Sequence, residues 1–385
     1  MSSSYIETTE ALEDFCKKID NSPFITIDTE FLRERTYYAK LALIQIASSE
    51  VCVCIDPLSG ISLDALKPVF QNSQITKVMH ACSQDLEILF QLFGELPQPI
   101  FDTQIASAIL GYGAQISYAQ LVDTVLDLKI DKTQTRTDWT KRPLSNKQIE
   151  YAENDVKYLA QIYPIMLDTL EKSGKSDWLM DDFLSLADPE KYIVKTEDSW
   201  RRVKGNNKLN KNRLIFLKML ASWREKAAMK EDKPRKHILQ DDALITIARI
   251  KPDKVDKLHG FRELNESKIR KYESEIMSCI KVASKVPESE WPSLPRPVLQ
   301  DSNQEALTDA IMAIVKLCAH RHNLSPTILA NRKDIEKLVS GNMDIPVMKG
   351  WRKRHVGDVL SDFLAGKECL HVQEGKLMTL PDKPL

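Results

Sequence analysis

Phe24-Ile25-Thr26-Ile27-Asp28-Thr29-Glu30 reads as a buried strand that ends in two carboxylates. A short run of apolar and β-branched side chains suits a strand covered on both faces. Side chains alternate along a strand, so Asp28 and Glu30, two residues apart, project from one face. Like charges held side by side repel unless a cation lies between them, and carboxylate oxygens of this kind suit Mg²⁺ or Mn²⁺. The competing reading is a solvated strand end that runs into a charged loop. These residues alone do not decide between the two.

Working outward, a short helix over Thr9 to Ile19 precedes the strand, and Leu41 to Ala47 and Val51 to Ile55 follow as further strands. Asp56-Pro57-Leu58-Ser59-Gly60 turns the chain. Ile75 to Met79 is another strand, Gln84 to Phe93 a helix closed by Gly94, and Ile100-Phe101 a short final strand. Strands first and helices later predict a mixed sheet with helices on both faces. Ser145 as N-cap with Gln148 three residues on forms a capping box that opens a long helix to about Lys172, with Pro164 as a kink point.

Two further carboxylates lie on these helices. Ile88, Leu89 and Leu92 stand three, four and seven residues after Asp85, which places Asp85 on an apolar, inward face. An unpaired carboxylate there is costly or protonated, whereas a half-exposed Asp near a helix N-terminus is favoured; both readings stand. Tyr151 and Asp155 are four apart on the long helix and share a face roughly opposite the stripe Ile149, Ala152, Val156, Leu159, Ala160 and Tyr163. That second face also holds Tyr158 and Ile162, so the helix is expected to touch structure on both sides. Arg136, Lys141 and Arg142 flank Trp139 in a basic loop before this helix and are candidates for phosphate contact. His80 and the Cys52-x-Cys54 pair are read as packing residues.

The whole chain of 385 residues is long enough for two or three domains. Its 43% hydrophobic and 28% charged residues are those of a globular protein, and no run of eighteen apolar residues is present. The first ten residues lack the pattern of a secretory signal, and seven scattered cysteines form no metal-type pairs. Both point to the cytoplasm and to reduced thiols. The formal net charge of −1 hides an asymmetry: residues 1–190 carry −13 and residues 191–385 carry +12. From Lys191 to Gln240 there are 15 Lys and Arg against 5 Asp and Glu. Opposite signs on two halves are what a catalytic domain followed by a polyanion-binding region would show. Helical patterns recur in the basic half at Asn212 to Met229 and Gln304 to His322, on either side of a proline-rich linker over 286–297.

Asp28-x-Glu30, a helical Asp85 about 55 residues on, and Tyr151-x-x-x-Asp155 together resemble the DEDDy exonuclease family, whose fold is ribonuclease H-like. The words around them, including Phe31 to Tyr38, His80-Ala81, Phe101-Asp102-Thr103, Asp138-Trp139, Arg142-Pro143-Leu144 and Tyr151-Ala152, look like those of the bacterial ribonuclease D group. Gln84 and Cys82 depart from it, standing where the family more often has an acidic residue and a glycine. The resemblance covers essentially the whole chain, closely over the first 170 or so residues and more loosely behind them. It implies an α/β ribonuclease H-like exonuclease domain over 1–190, an all-α HRDC-like domain over 206–289 and a divergent second one over 298–385. It also implies a 3′→5′ exoribonuclease that uses two divalent cations, Mg²⁺ or Mn²⁺, and releases nucleoside 5′-monophosphates. By the same resemblance Asp28 bridges both cations, Glu30 and Asp155 complete the first, Asp85 holds the second and Tyr151 orients the attacking water. RNA is the implied partner, transfer RNA precursors foremost, for a protein favoured as a monomer with no membrane attachment. A DNA exonuclease and a non-catalytic nucleic-acid-binding scaffold are the alternatives; five intact site positions weigh against the scaffold.

Overall fold

Alternation along residues 24–32 sets the two faces of a six-stranded sheet. The computed structural model describes residues 2–131, 134, 137–259, 266–294 and 300–380. Its strands are β1 (Ser2–Ile6), β2 (Phe24–Leu32), β3 (Lys40–Ala47), β4 (Val51–Ile55), β5 (Thr76–Met79) and β6 (Ile100–Asp102). They lie in the order β1-β4-β3-β2-β5-β6. β3 and β4 pair antiparallel, whereas β1 with β4, β2 with β5 and β5 with β6 pair parallel. The sheet is therefore mixed, as expected. β1 was not expected, because three successive serines interrupt any alternating apolar pattern; its parallel register on β4, Ser2 against Val51 through Ile6 against Ile55, forms it.

Ile25 and Ile27 of β2, with Ile44, Ile46, Val53 and Ile55, pack on Leu12, Phe15 and Ile19 of the helix Thr9–Ile19 and on Leu86 and Leu89 of the helix Ser83–Phe93. The intervening residues of β2 face the 27-residue helix Asn146–Lys172. There the Thr26 hydroxyl donates to the Val156 carbonyl at 2.9 Å, and the Phe24 ring lies 4.8 Å from that of Tyr163. The helix opens with the expected capping box and runs through Pro164 as one element. Ala152 and Val156 have no exposed surface, so larger side chains there would push helix and sheet apart.

The last segment joins this core instead of standing alone. Ile311, Ile314, Val315, Leu338, Trp351 and Leu360 belong to the same buried cluster as Phe101, Leu159 and Trp178. Trp178 stacks on Trp351 at 4.6 Å and 13°. Arg352 holds Asp182 at 3.1 Å, and Lys175 donates to the His322 carbonyl at 2.9 Å. The segment closes in an antiparallel hairpin, Cys369–Gln373 with Lys376–Leu380, where the sequence suggested further short helices.

Residues 31–40 and 193–296 form the second compact unit, and residues 1–30, 41–192 and 297–385 the first. The core of the second unit is helical: Leu214, Leu217 and Leu220 of the helix Lys211–Glu231 pack on Leu244 and Ile247 of Asp241–Ile250 and on Ile269 and Ile276 of Glu266–Ala283. The connection after β2 is tied into it by Tyr37, whose hydroxyl donates to Glu225 and whose backbone N–H donates to Asp232 at 3.0 Å.

Candidate active site

The β2 alternation that buries Thr26 against the long helix also turns Asp28 and Glu30 toward it. Asp155 comes from that helix, one turn beyond Tyr151. Asp28, Glu30 and Asp155 each offer a carboxylate oxygen, and these oxygens all lie within 4.8 Å of one another. Asp85 comes from the first turn of the helix Ser83–Phe93 and is buried. Its carboxylate accepts a hydrogen bond from the Thr29 hydroxyl, so it is anchored at the same point of β2 through the residue between the other two ligands. The sequence reading passed over Thr29. Its signal was its position, pointing to the opposite face from Asp28 and Glu30 and thus toward the helix that carries Asp85. Leu92, counted with the inward face of that helix, is 45% exposed instead.

Neighbouring elements hold these side chains in place. Asp102 caps the helix that starts at Thr103 and accepts the Cys82 N–H at 2.9 Å, fixing the turn before Ser83. His80 uses both ring nitrogens, on the Thr103 hydroxyl at 2.9 Å and the Ile116 carbonyl at 3.1 Å, which makes it a structural residue. The Tyr118 hydroxyl donates to the Asn154 carbonyl at 2.7 Å, beside Asp155 on the long helix.

Burial and mutual repulsion shape the electrostatics. Asp28 is pushed well above the usual carboxylate range by burial, then by Asp85, Asp155 and Glu30. Glu30 is raised to about 9 by burial and by Asp155 and Asp85. Burial raises Asp155 to about 7 against a hydrogen bond from Tyr151, and raises Asp85 to about 6 against one from Thr29. A set of carboxylates that resists full ionisation on its own is one that gains from a divalent cation. The donor set is all oxygen, which suits Mg²⁺ or Mn²⁺ over soft metals.

A cleft of about 280 Å³ opens at this cluster, lined by Lys129, Lys147, Tyr151, Asn154, Asp155 and Tyr158 among others. The Tyr151 ring lies 6.0 Å from that of the buried Trp139. Of the three basic loop candidates, Arg136 lies outside the described residues. Lys141 is exposed and open to a ligand. Arg142 is fully engaged within the protein: its Nε and one Nη hold Asp56 at 2.5 and 2.6 Å, and further N–H groups reach the carbonyls of Ala42, Trp139 and Lys141. A guanidinium has five N–H donors, and all five are used here. Arg142 therefore braces the loop under Trp139.

Comparison with known proteins concerns the fold and the family. A 3′-5′ exonuclease family profile matches residues 4–171, and an HRDC domain profile matches residues 214–280. The chain is 37% identical to a ribonuclease D of Bartonella henselae over 381 residues, covering 97% of this chain and 93% of that protein. It is 33% identical to one from Gluconacetobacter diazotrophicus, covering 98% and 96%. The crystal structure of Escherichia coli RNase D, described as an exoribonuclease involved in structured RNA processing, superposes with a TM-score of 0.84 at 32% identity, covering 95% of this chain and 99% of that one.

Proposed function

The chain belongs to the ribonuclease D family of 3′–5′ exoribonucleases, and from that premise we propose that it trims RNA 3′ ends by two-metal-ion hydrolysis, with transfer RNA precursors among its substrates. The observation that carries the metal reading is the meeting of Asp28, Glu30 and Asp155 within 4.8 Å. Asp28 would hold both cations, Glu30 and Asp155 the first and Asp85 the second. Bound there, the cations would supply an acidified water and charge neutralisation at the departing 3′ oxygen.

The chain's own residues supply position. Tyr151, hydrogen-bonded to Asp155, is placed to orient a water for attack on phosphorus. It serves as an orienting group, with the bound cation and not the phenol supplying the acidified water. Thr29 holds Asp85 in register with β2. Lys129 and Lys147 on the cleft wall can face the phosphates of an entering 3′ end. As the water's oxygen bonds to phosphorus, the bond to the 3′ oxygen of the preceding nucleotide breaks, leaving a nucleoside 5′-monophosphate and a shortened chain with a new 3′ hydroxyl. Cytoplasmic work accords with seven cysteines that form no disulfide.

The test is a 5′-labelled transfer RNA precursor with a single-stranded 3′ trailer, incubated with Mg²⁺, Mn²⁺ or chelator. A ladder of products shortened one nucleotide at a time, dependent on either cation and abolished by chelator, is the expected result. Equal trimming in chelator would sink the metal mechanism. Failure to shorten the trailer while a generic RNA tail is trimmed would sink the precursor assignment.

A further inference from the structure

Beneath the carboxylate cluster lies a polar side chain that is fully enclosed and unpaired. Gln45, on β3, has no exposed surface, and neither its amide nitrogen nor its amide oxygen has a hydrogen-bond partner among the described residues. Burying an amide unpaired is unfavourable, and the large majority of buried polar side-chain atoms in native proteins are satisfied. Three observations fix where this amide sits. Gln45 pairs with Cys54 of β4, which shares a buried cluster with Trp139 and Ala152 on the face toward the helix Asn146–Lys172. The neighbours of Gln45 on that face of β3 are Leu43, in the same cluster as Ala152, and Ala47, which packs with Val156. Gln45 therefore lies under residues 152–156, the turn that carries Asp155. On its other side, β2 and β3 are adjacent in the sheet and joined by only seven residues, too few for a parallel crossover, so they run antiparallel. The Thr26 hydroxyl donates to the Ala47 carbonyl at 3.3 Å, and two residues forward along β2 and two back along β3 bring Asp28 beside Gln45.

We propose that Gln45 is a positioning residue for Asp28: its amide N–H donates to the Asp28 carboxylate when that carboxylate holds a cation, an inference that rests on the metal-ion reading above. Residues opposite one another in an antiparallel pair have Cβ atoms about 5 Å apart. A carboxylate and a longer amide side chain span that gap by turning about their terminal bonds, whose torsions are soft, so the contact forms without backbone movement. Carboxylates that hold a metal ion are themselves held by hydrogen bonds, which orient the oxygen lone pairs toward the ion. Thr29 does this for Asp85 from the opposite face of β2, and Gln45 does it on the face that carries Asp28. A neutral amide is the suitable donor. Asp28 already feels Asp85, Asp155 and Glu30, and a cationic side chain in the amide's place would compensate that charge and compete with the metal.

Gln45→Met keeps the length and approximate volume of the side chain and removes both amide groups. Mn²⁺ is titrated into full-length wild type and variant, with free Mn²⁺ read from its electron paramagnetic resonance signal, and both proteins are melted in chelator. The variant should bind Mn²⁺ about 10- to 100-fold more weakly. In chelator it should melt no lower than wild type, with a gain on the order of 2 °C from losing an unpaired buried amide. Weaker cation binding combined with an undiminished cation-free fold is what a merely structural glutamine would not give. Mn²⁺ affinity equal to that of wild type would overturn the proposal. Weaker affinity together with a lower melting temperature in chelator would overturn it too, by showing that the amide serves the fold. Failure of wild type itself to bind Mn²⁺ would count against the metal-ion reading, on which the chelator melts do not depend.

Discussion

In the exonuclease domain, three carboxylates bring oxygens within 4.8 Å, and burial raises all three, joined at Asp28 and Glu30 by neighbouring carboxylates that include Asp85. In the helical unit, a comparable crowd of cations is threaded with carboxylates: Arg224 on Asp241 at 2.8 Å, Arg235 near Glu225 at 3.5 Å, and Lys271 on Glu231 at 2.7 Å. The two regions show how the use of a charge cluster follows from where its counter-charge resides. A site that lacks internal compensation must take it from outside, as bound cations, and can therefore hold them tightly. A site already compensated is stable when empty and has only a modest surplus of charge to offer a ligand.

This contrast is most easily broken at its acidic end. Asp28→Asn and Asp155→Asn should each lower single-turnover hydrolysis by at least about 10³-fold, since each removes a charged ligand from the cation site. The fold should persist, and the cation-free variants should melt higher than wild type because repulsion at the cluster is relieved. Near-wild-type cleavage in either variant would show that the cluster is not the catalytic centre.

The opposite sign is expected at the basic end. Asp241→Asn leaves the buried Arg224 guanidinium without its charged partner and should cost about 3 kcal/mol of stability, read by denaturant unfolding. An acidic residue lost from one cluster would then stabilise the protein and an acidic residue lost from the other would weaken it. Equal effects in the same direction would remove the distinction between the two clusters.

A smaller effect concerns pH. In the unfolded chain Asp ionises near pH 4, whereas in the folded, cation-free protein Asp85 does so at about 6 and Asp155 at about 7. Between these values the folded state retains protons that the unfolded state has released, so rising pH favours unfolding. The stabilising contribution is complete below about pH 4 and is lost as pH rises through 6 to 7, on the order of 1.4 kcal/mol for each pH unit that separates the folded from the unfolded midpoint. Thermal melts in chelator at about pH 5 and about pH 8, taken as differences from Asp155→Asn, should show wild type losing ground at the higher pH. Saturating Mg²⁺ should abolish that loss. A difference that grows in wild type's favour with pH would contradict the picture of an uncompensated cluster.

Much of this was legible in the chain because it is local. The two-residue spacing of Asp28 and Glu30 gives a shared face in any strand, the Ser145–Gln148 capping box marks the start of the long helix, and the four-residue spacing of Tyr151 and Asp155 stacks them in any helix. The family resemblance then supplied which of these faces meet. Less legible were features that depend on partners distant in sequence. A basic loop residue such as Arg142 looks like a phosphate ligand until Asp56, 86 residues away, is seen to take its guanidinium. Ser2–Ile6 becomes a strand only because β4 offers it an edge.

By itself, then, the sequence determined which side chains share a face, where the principal helices begin, and that one half of the chain is acidic and the other basic. Tertiary structure decided that Thr29 would hold Asp85, that Arg142 would brace a loop, and that Trp351 near the C-terminus would stack on Trp178 in the core of the exonuclease domain. The physical reason is one of range. Periodicity encodes the direction of a side chain relative to its own backbone, whereas the identity of the group it meets is settled by packing and loop closure among segments far apart in the chain.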